Sequence, residues 1–191
     1  MPRGKVAFVV EGELEKDFLQ NQCGHKTVIR KIPSNGDDVL IQRLAEMVKA
    51  ILDTLRNPIQ VFVILDREKR DVAATDLENM LLKELLKRGA TGAISIHFAD
   101  RMIENWIIAD QTALASEHLT VEAPEGTEGI GGKGKLRQAF KAHHQTYSER
   151  VDGVRLLEKC TASVVAETSP SFSRLYSNIR AAELPCAWIE R

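Results

Sequence analysis

Short runs of consecutive apolar residues alternate along the chain with longer segments in which apolar residues recur at helical spacing. A continuous β-branched and aromatic run over residues 5–10 is typical of a strand buried on both faces, and the apolar segments 59–65 and 93–99 predict two further strong strands. A weaker strand is predicted over residues 26–32. Apolar positions three and four apart predict amphipathic helices between the runs, over residues 13–21, 38–56, 73–88 and about 102–115.

Strands that alternate with helices predict an α/β fold with a mostly parallel sheet flanked by helices. The pattern changes at residues 120–134, a loop rich in glycine and glutamate. Only helical patterns follow, over about 135–146, 151–167 and 171–182. We therefore expect an α/β domain over residues 1–115 and a helical C-terminal section over residues 116–191 that packs on it.

The composition is that of a globular protein without a specialised environment. A net charge of −1 excludes a strong overall positive field for nucleic acid or an anionic membrane, although a local basic patch stays open. Cys23, Cys160 and Cys186 are far apart and odd in number, so we expect neither a disulfide framework nor a cysteine zinc site. This cysteine usage favours the cytoplasm, and no apolar stretch approaches the roughly 18 residues of a membrane-spanning helix.

Acidic residues follow two predicted strands at the points where the strands end. Glu11 comes directly after the first strand, and Asp66 and Glu68 follow the strand over 59–65. In open α/β sheets this edge binds ligands and metals. If the two strands are neighbours, and if strand alternation directs Asp66 and Glu68 to one side, the carboxylates can hold Mg²⁺ or Mn²⁺ for phosphoryl transfer. The alternative is that these acids only favour the helix N-termini that follow.

Two further segments offer candidate site residues. Glu104 falls in the helix after the strand over 93–99, at the same sheet edge if that strand is parallel; otherwise it is an ordinary surface charge. The glycine-rich segment 129–136 fits nucleotide-binding patterns, but a loop rather than a strand precedes it. Its helix N-terminus, with Lys133, Lys135 and Arg137, can still contact phosphate, the alternative being a solvated helix face.

In their order along the chain, these motifs resemble the Toprim domain family, the topoisomerase–primase fold that OLD-family nucleases also contain. The Glu-Gly-x-x-Glu pattern at residues 11–15 and the acidic pair within residues 66–68 carry the resemblance over residues 5–100. Further matches extend it to small bacterial Toprim-like proteins over nearly the full length, at residues 100–110, 132–136 and 169–172.

The resemblance implies a Mg²⁺-dependent (or Mn²⁺-dependent) site in which Glu11 is the general acid or base, or a metal-linked residue. Asp66 and Glu68 would bind the metal. Glu104 and Lys133 are further catalytic candidates because of their predicted positions, Glu104 at the same sheet edge and Lys133 on a flexible glycine-rich loop that can reach the metal site. Glu68 stands where the family usually has aspartate, and Asp71 is an alternative ligand.

The expected function is a nuclease or related phosphotransfer enzyme that acts on DNA or RNA. A homodimer or a partner protein of the same operon, and a role in phage defence, are also compatible with the resemblance. Two alternatives stay open: a non-catalytic regulatory module that binds nucleic acid or protein, and a phosphotransfer enzyme for nucleotides or other small phosphates.

Overall fold

A parallel β-sheet forms the centre of the computed structural model, which describes residues 6–24, 27–33, 39–55, 58, 60–122, 126–184 and 186–190. Its four strands are β1 (Val6–Val10), β2 (Thr27–Lys31), β3 (Gln60–Asp66) and β4 (Ala93–Ala99), in the order β2-β1-β3-β4. Val10 lies opposite Ile64, and Asp66 lies opposite Ala99. The carboxyl ends of the three strands β1, β3 and β4 therefore share one edge.

Helices connect and cover the strands, which confirms the predicted α/β fold. Their bounds are α1 (Glu13–Cys23), α2 (Ile41–Thr54), α3 (Ala74–Lys87), α4 (Glu104–Ala109), α5 (Gln111–Ser116), α6 (Gly132–Ala142), α7 (Val154–Lys159), α8 (Ala162–Thr168) and α9 (Pro170–Ala181). A π-helical turn, Glu149–Gly153, leads into α7. None of the helices in the described part of the chain is long and apolar enough to span a membrane.

The two faces of the sheet bury different sets of helices. Ala7 and Val9 of β1 face a core shared with α2 and α3. Phe8 and Val10 face the other core, to which α1 and the helices α4 to α9 contribute. Because both faces are covered, the central strands need apolar residues at every position, which explains their continuous apolar runs.

Two predicted helices are each interrupted. The helix expected over 102–115 breaks at Asp110, whose carboxylate accepts the backbone N–H of Ala113 (3.0 Å) and caps α5. The other oxygen of Asp110 accepts the N–H of Thr161 (2.8 Å), where the helix expected over 151–167 separates into α7 and α8. One buried carboxylate thus stabilises both breaks, and the helical spacing of apolar residues continues through them.

The expectation that the cysteines form no disulfide was wrong. Cys23 and Cys186 are bonded, so the end of α1 is tied to the C-terminal segment across a sequence separation of 163 residues. Trp188, close to this bond in sequence, packs edge-on against Phe18 of α1 with ring centroids 4.7 Å apart. Cys160 is a buried free thiol.

Candidate metal centre

Three carboxylates meet at the carboxyl edge of the sheet. Glu11 follows β1, Asp66 ends β3, and Glu68 lies two residues further on. One carboxylate oxygen from each of them lies within 4.8 Å of the other two. The parallel pairing of β1 with β3 produces this convergence, so the expectation that the two strands are neighbours is confirmed. Oxygen ligands in this arrangement could hold a divalent cation.

Backbone hydrogen bonds orient two of these carboxylates. The N–H of Asp66 donates to Glu11 Oε2 (2.8 Å), and the N–H of Ile103 donates to Asp66 Oδ1 (2.9 Å). Carboxylates that ligate metals are commonly fixed by such bonds from the surrounding protein. Glu11 and Asp66 are therefore held in place by the fold itself.

Glu68 reaches the cluster by a turn rather than by strand alternation. β3 ends at Asp66, and Glu68 adopts a left-handed backbone conformation with φ 57°. Its N–H donates to the carbonyl oxygen of Arg101 (2.7 Å). Arg101 also has a left-handed backbone conformation, with φ 78°. An ion pair between Arg67 and Asp100 fastens the same two segments together. Left-handed non-glycine residues carry strain, and here two of them lie beside the candidate metal ligands.

The three carboxylates open onto a cleft of about 540 Å³. Among the described residues, its lining contains seven acids and two bases. The acids are Glu11, Glu13, Glu15, Asp66, Glu68, Glu104 and Glu149, and the bases are Lys133 and Arg150. Glu13 is paired with Lys16 and Lys31, and Arg150 is paired with Asp17. The lining therefore has an excess of negative charge that a bound cation would offset.

Two acids of the lining are almost fully buried. Glu15 and Glu104 each expose only 4% of their surface. Burial raises the pKa of Glu15 to about 8, and the charges of Glu11 and Glu104 add to the rise. Burial also raises the pKa of Glu104, and burial together with the charges of Glu15 and Glu11 raises the pKa of Asp66 well above its ordinary value. Glu15, with its pKa raised to about 8, therefore holds a proton at neutral pH, and a divalent cation bound beside it would favour release of that proton.

Lys133 enters the cleft because the start of α6 packs directly on the start of α4. The N–H of Gly132 donates to Asn105 Oδ1 (3.0 Å), and a Cβ at Gly132 would lie 2.4 Å from that oxygen. The side-chain amide of Asn105 in turn donates to the carbonyl oxygen of Asp100 (2.8 Å). Only glycine allows this approach, so the glycine-rich segment positions Lys133 rather than forming a nucleotide-binding loop.

The two other predicted phosphate contacts differ in position. Arg137 is exposed and does not line the cleft, but its Nη2 lies 3.6 Å from Oε1 of the lining residue Glu149. Lys135 donates from Nζ to the carbonyl oxygen of Glu122 (2.9 Å) and does not line the cleft. Asp71, considered above as an alternative metal ligand, is an exposed residue of the loop after β3 and is not part of the three-carboxylate cluster.

The motif at residues 169–172 has a structural role. Ser169 accepts the N–H of Phe172 (3.3 Å) and caps α9. Ser171 Oγ donates to Glu128 (2.8 Å) and accepts from the indole N–H of Trp106 (3.0 Å). These bonds fasten the segment before α6 to α4 and α9, which further fixes the position of α6.

Glu15 is the site residue that sequence reasoning missed. It lies in the first turn of α1, where a negative charge is favourable, and the sequence pattern assigns it no metal-binding or catalytic role. Its burial depends on segments far away in the chain. The Glu-Gly-x-x-Glu spacing was the one available signal, since it places Glu15 one turn from Glu11.

Comparisons of this chain with protein-family models, with curated proteins and with solved structures found no match. Glu11, Asp66, Glu68, Glu104 and Lys133 all line one cleft. Their catalytic roles stay predictions.

Proposed function

We propose that this protein is a divalent-cation-dependent phosphodiesterase, in the first place a nuclease, that uses Mg²⁺ or Mn²⁺. One observation carries the proposal: carboxylates from the ends of two neighbouring parallel strands, Glu11 and Asp66, converge with Glu68 at an open cleft. The parallel sheet and the order of these acids also support the resemblance to Toprim domains, which is part of the proposal. Nucleic acid, DNA or RNA, is the proposed substrate.

The residues of the cleft divide into three roles. Glu11, Asp66 and Glu68 would hold the cation, which when bound would neutralise phosphate charge and lower the pKa of a water molecule. Lys133, on the cleft wall, would pair with a phosphate oxygen. Glu104 is buried and its pKa is raised, so it holds a proton more readily than an exposed glutamate does and would act as general acid or base.

The first test compares nucleic-acid cleavage by wild type, Glu11→Gln and Asp66→Asn with Mg²⁺, with Mn²⁺ and with a chelator. Each substitution should lower cleavage by about a hundredfold or more and weaken cation binding in calorimetry. Both variants should fold, since an amide oxygen can still accept the N–H of Asp66 or Ile103. Circular dichroism and thermal unfolding verify this.

Glu13→Gln is the matched control. Glu13 lines the same cleft, but its carboxylate is paired with Lys16 (3.2 Å) and Lys31 (2.9 Å) and is not part of the three-carboxylate cluster. The control removes one negative charge from the lining and should retain cation binding. Cleavage that survives chelation, or that Glu11→Gln and Glu13→Gln reduce equally, would contradict the proposal.

The charge of the cleft favours one second candidate, a non-catalytic regulatory module. The lining holds seven acids and two bases, and both bases are in ion pairs, Lys133 with Glu149 and Arg150 with Asp17. Such a surface binds cations more readily than polyanions. Cation binding without turnover of nucleic acid would support this candidate, whereas phosphate release from nucleotides alone would identify a small-molecule enzyme.

A further inference from the structure

We propose that Glu149 competes with substrate phosphate for Lys133 and Arg137, so that these two cations form a phosphate subsite that Glu149 masks until ligand arrives. The inference rests on the proposed function, because it concerns how the same cleft admits a phosphate group. Glu149 would then set the affinity of the cleft for phosphodiesters.

The first observation is a shared carboxylate oxygen. Lys133 Nζ lies 2.5 Å from Glu149 Oε1, and Arg137 Nη2 lies 3.6 Å from the same atom. Lys133 and Arg137 are four residues apart on α6 and therefore project from one side of the helix. The two cations thus converge on a single anionic oxygen, and phosphate oxygens are anions that lysine and arginine bind well.

The second observation is that Glu149 is held at the cleft by a rigid turn. It begins the π-helical turn Glu149–Gly153, in which the N–H of Ser148 donates to Asp152 Oδ2 (2.8 Å). A Cβ at Gly153 would lie 2.6 Å from Leu14 Cδ1, so the turn packs tightly against the start of α1. Leu14 and Glu149 both line the cleft. Single π-helical turns recur at functional sites.

The third observation is that the ion pair is open to exchange. The side chains of Lys133 and Glu149 are 34% and 42% exposed, and ion pairs with this much solvent contact are weak. A phosphodiester can therefore displace the carboxylate without unfolding the turn. Lys135 is not part of this subsite, because its ammonium group donates to the carbonyl oxygen of Glu122.

The test measures binding of fluorescent single-stranded DNA and RNA oligonucleotides, with Ca²⁺ in place of Mg²⁺ to limit cleavage. Glu149→Gln should bind about five- to tenfold more tightly than wild type, the size expected for one unit charge a few ångströms away at a partly solvated site. The slope of log affinity against log salt should steepen by about one, because more phosphate contacts form. Adding Lys133→Gln to the variant should remove the gain.

Glu84→Gln is the matched control. Glu84 also lies between a lysine and an arginine, 2.6 Å from Lys87 Nζ and 2.6 Å from Arg88 Nη1, but on α3 at the other face of the sheet. The same change of net charge at this distant position should leave affinity unchanged. An equal gain in affinity in Glu149→Gln and Glu84→Gln would identify a general charge effect and overturn the inference. The inference is also wrong if Glu149→Gln gains no affinity over wild type, or if neither wild type nor Glu149→Gln binds the oligonucleotides.

Cleavage assays separate the two proposals. If wild type cleaves in a cation-dependent way but Glu149→Gln binds no more tightly, the proposed role of Glu149 is wrong and the proposed nuclease function stands. If Glu149→Gln binds more tightly but the protein does not cleave nucleic acid, the masked phosphate subsite stands and the proposed nuclease function is wrong. Thermal unfolding of each variant verifies that replacing the half-exposed Glu149 side chain leaves the fold intact.

Discussion

His97 should make the stability of the protein depend on pH in a defined way. The residue lies in β4 with 2% of its surface exposed, and its Nε2 is 3.3 Å from Asn178 Nδ2. Burial lowers its pKa from the ordinary 6.5 to about 4, and the positive charge of Arg174 contributes. The folded protein therefore binds a proton at His97 more weakly than the unfolded chain does.

The direction and size of the effect follow from this difference. Above pH 6.5 His97 is neutral in both states and imposes no cost. As the pH falls from there towards 4, the unfolded state takes up the proton first, so the free energy of unfolding decreases. A difference of this size corresponds to about 3 kcal/mol once His97 has titrated in both states.

The assay is urea unfolding of wild type and His97→Gln from about pH 7 to about pH 4. Glutamine does not titrate and can still bond to Asn178. Glu15, Asp66 and Glu104, with raised pKa values, act in the opposite direction, because the folded state holds their protons more tightly. Their contribution is common to both proteins, so the difference between the two curves isolates His97.

Wild type should lose about 3 kcal/mol relative to His97→Gln over this range. Parallel curves for the two proteins would refute the reasoning, because they would mean that His97 titrates alike in the folded and unfolded states. Nuclear magnetic resonance titration of the His97 ring gives an independent check, and an ordinary pKa near 6.5 there would have the same consequence.

Two further predictions concern the cleft. Gly132→Ala places a methyl group 2.4 Å from Asn105 Oδ1, and this overlap should cost about 1–3 kcal/mol in urea unfolding and weaken oligonucleotide binding. Gly134→Ala, where a Cβ meets nothing within 4 Å, is its control, and equal stability of the two variants would contradict the prediction. Cation affinity should rise with pH between about 6 and about 8, because Glu15, whose pKa is raised to about 8, should release its proton when a cation binds beside it. Calorimetry in buffers of different ionisation enthalpy measures this release, and an affinity independent of pH would exclude it.

The sheet and two metal-ligand candidates could be predicted because they depend on local patterns. The central strands β1 and β3 are buried on both faces, so their sequences are almost continuously apolar and easy to recognise. Parallel strands that alternate with helices share a carboxyl edge, so the sequence predicts Glu11 and Asp66 at the same edge. Their convergence also requires β1 and β3 to be neighbours, and it is the strand order of the structure that establishes this.

The details that sequence reasoning missed depend on partners distant in the chain. Asp110 interrupts a helical pattern because it accepts an N–H from Thr161, 51 residues away. Glu68 turns towards the cluster because its N–H bonds to the carbonyl oxygen of Arg101. The Cys23–Cys186 disulfide spans nearly the whole chain. Apolar periodicity reports which face of an element is buried, and it contains no information on such contacts.

The segment between β4 and α4 links the candidate metal centre to the phosphate side of the cleft. The N–H of Ile103 donates to the Asp66 carboxylate, and the carbonyl oxygen of Arg101 accepts the N–H of Glu68. Asn105, in the first turn of α4, bonds to the carbonyl oxygen of Asp100 in this segment and to the N–H of Gly132, next to Lys133. Asp66, Glu68 and Lys133 are therefore attached to one support, although the lysine is distant from the two acids in the sequence. A change in this segment should alter cation binding and phosphate binding together. Changes in α2 or α3, on the opposite face of the sheet, should alter stability alone, and this contrast distinguishes a built site from a chance gathering of acids.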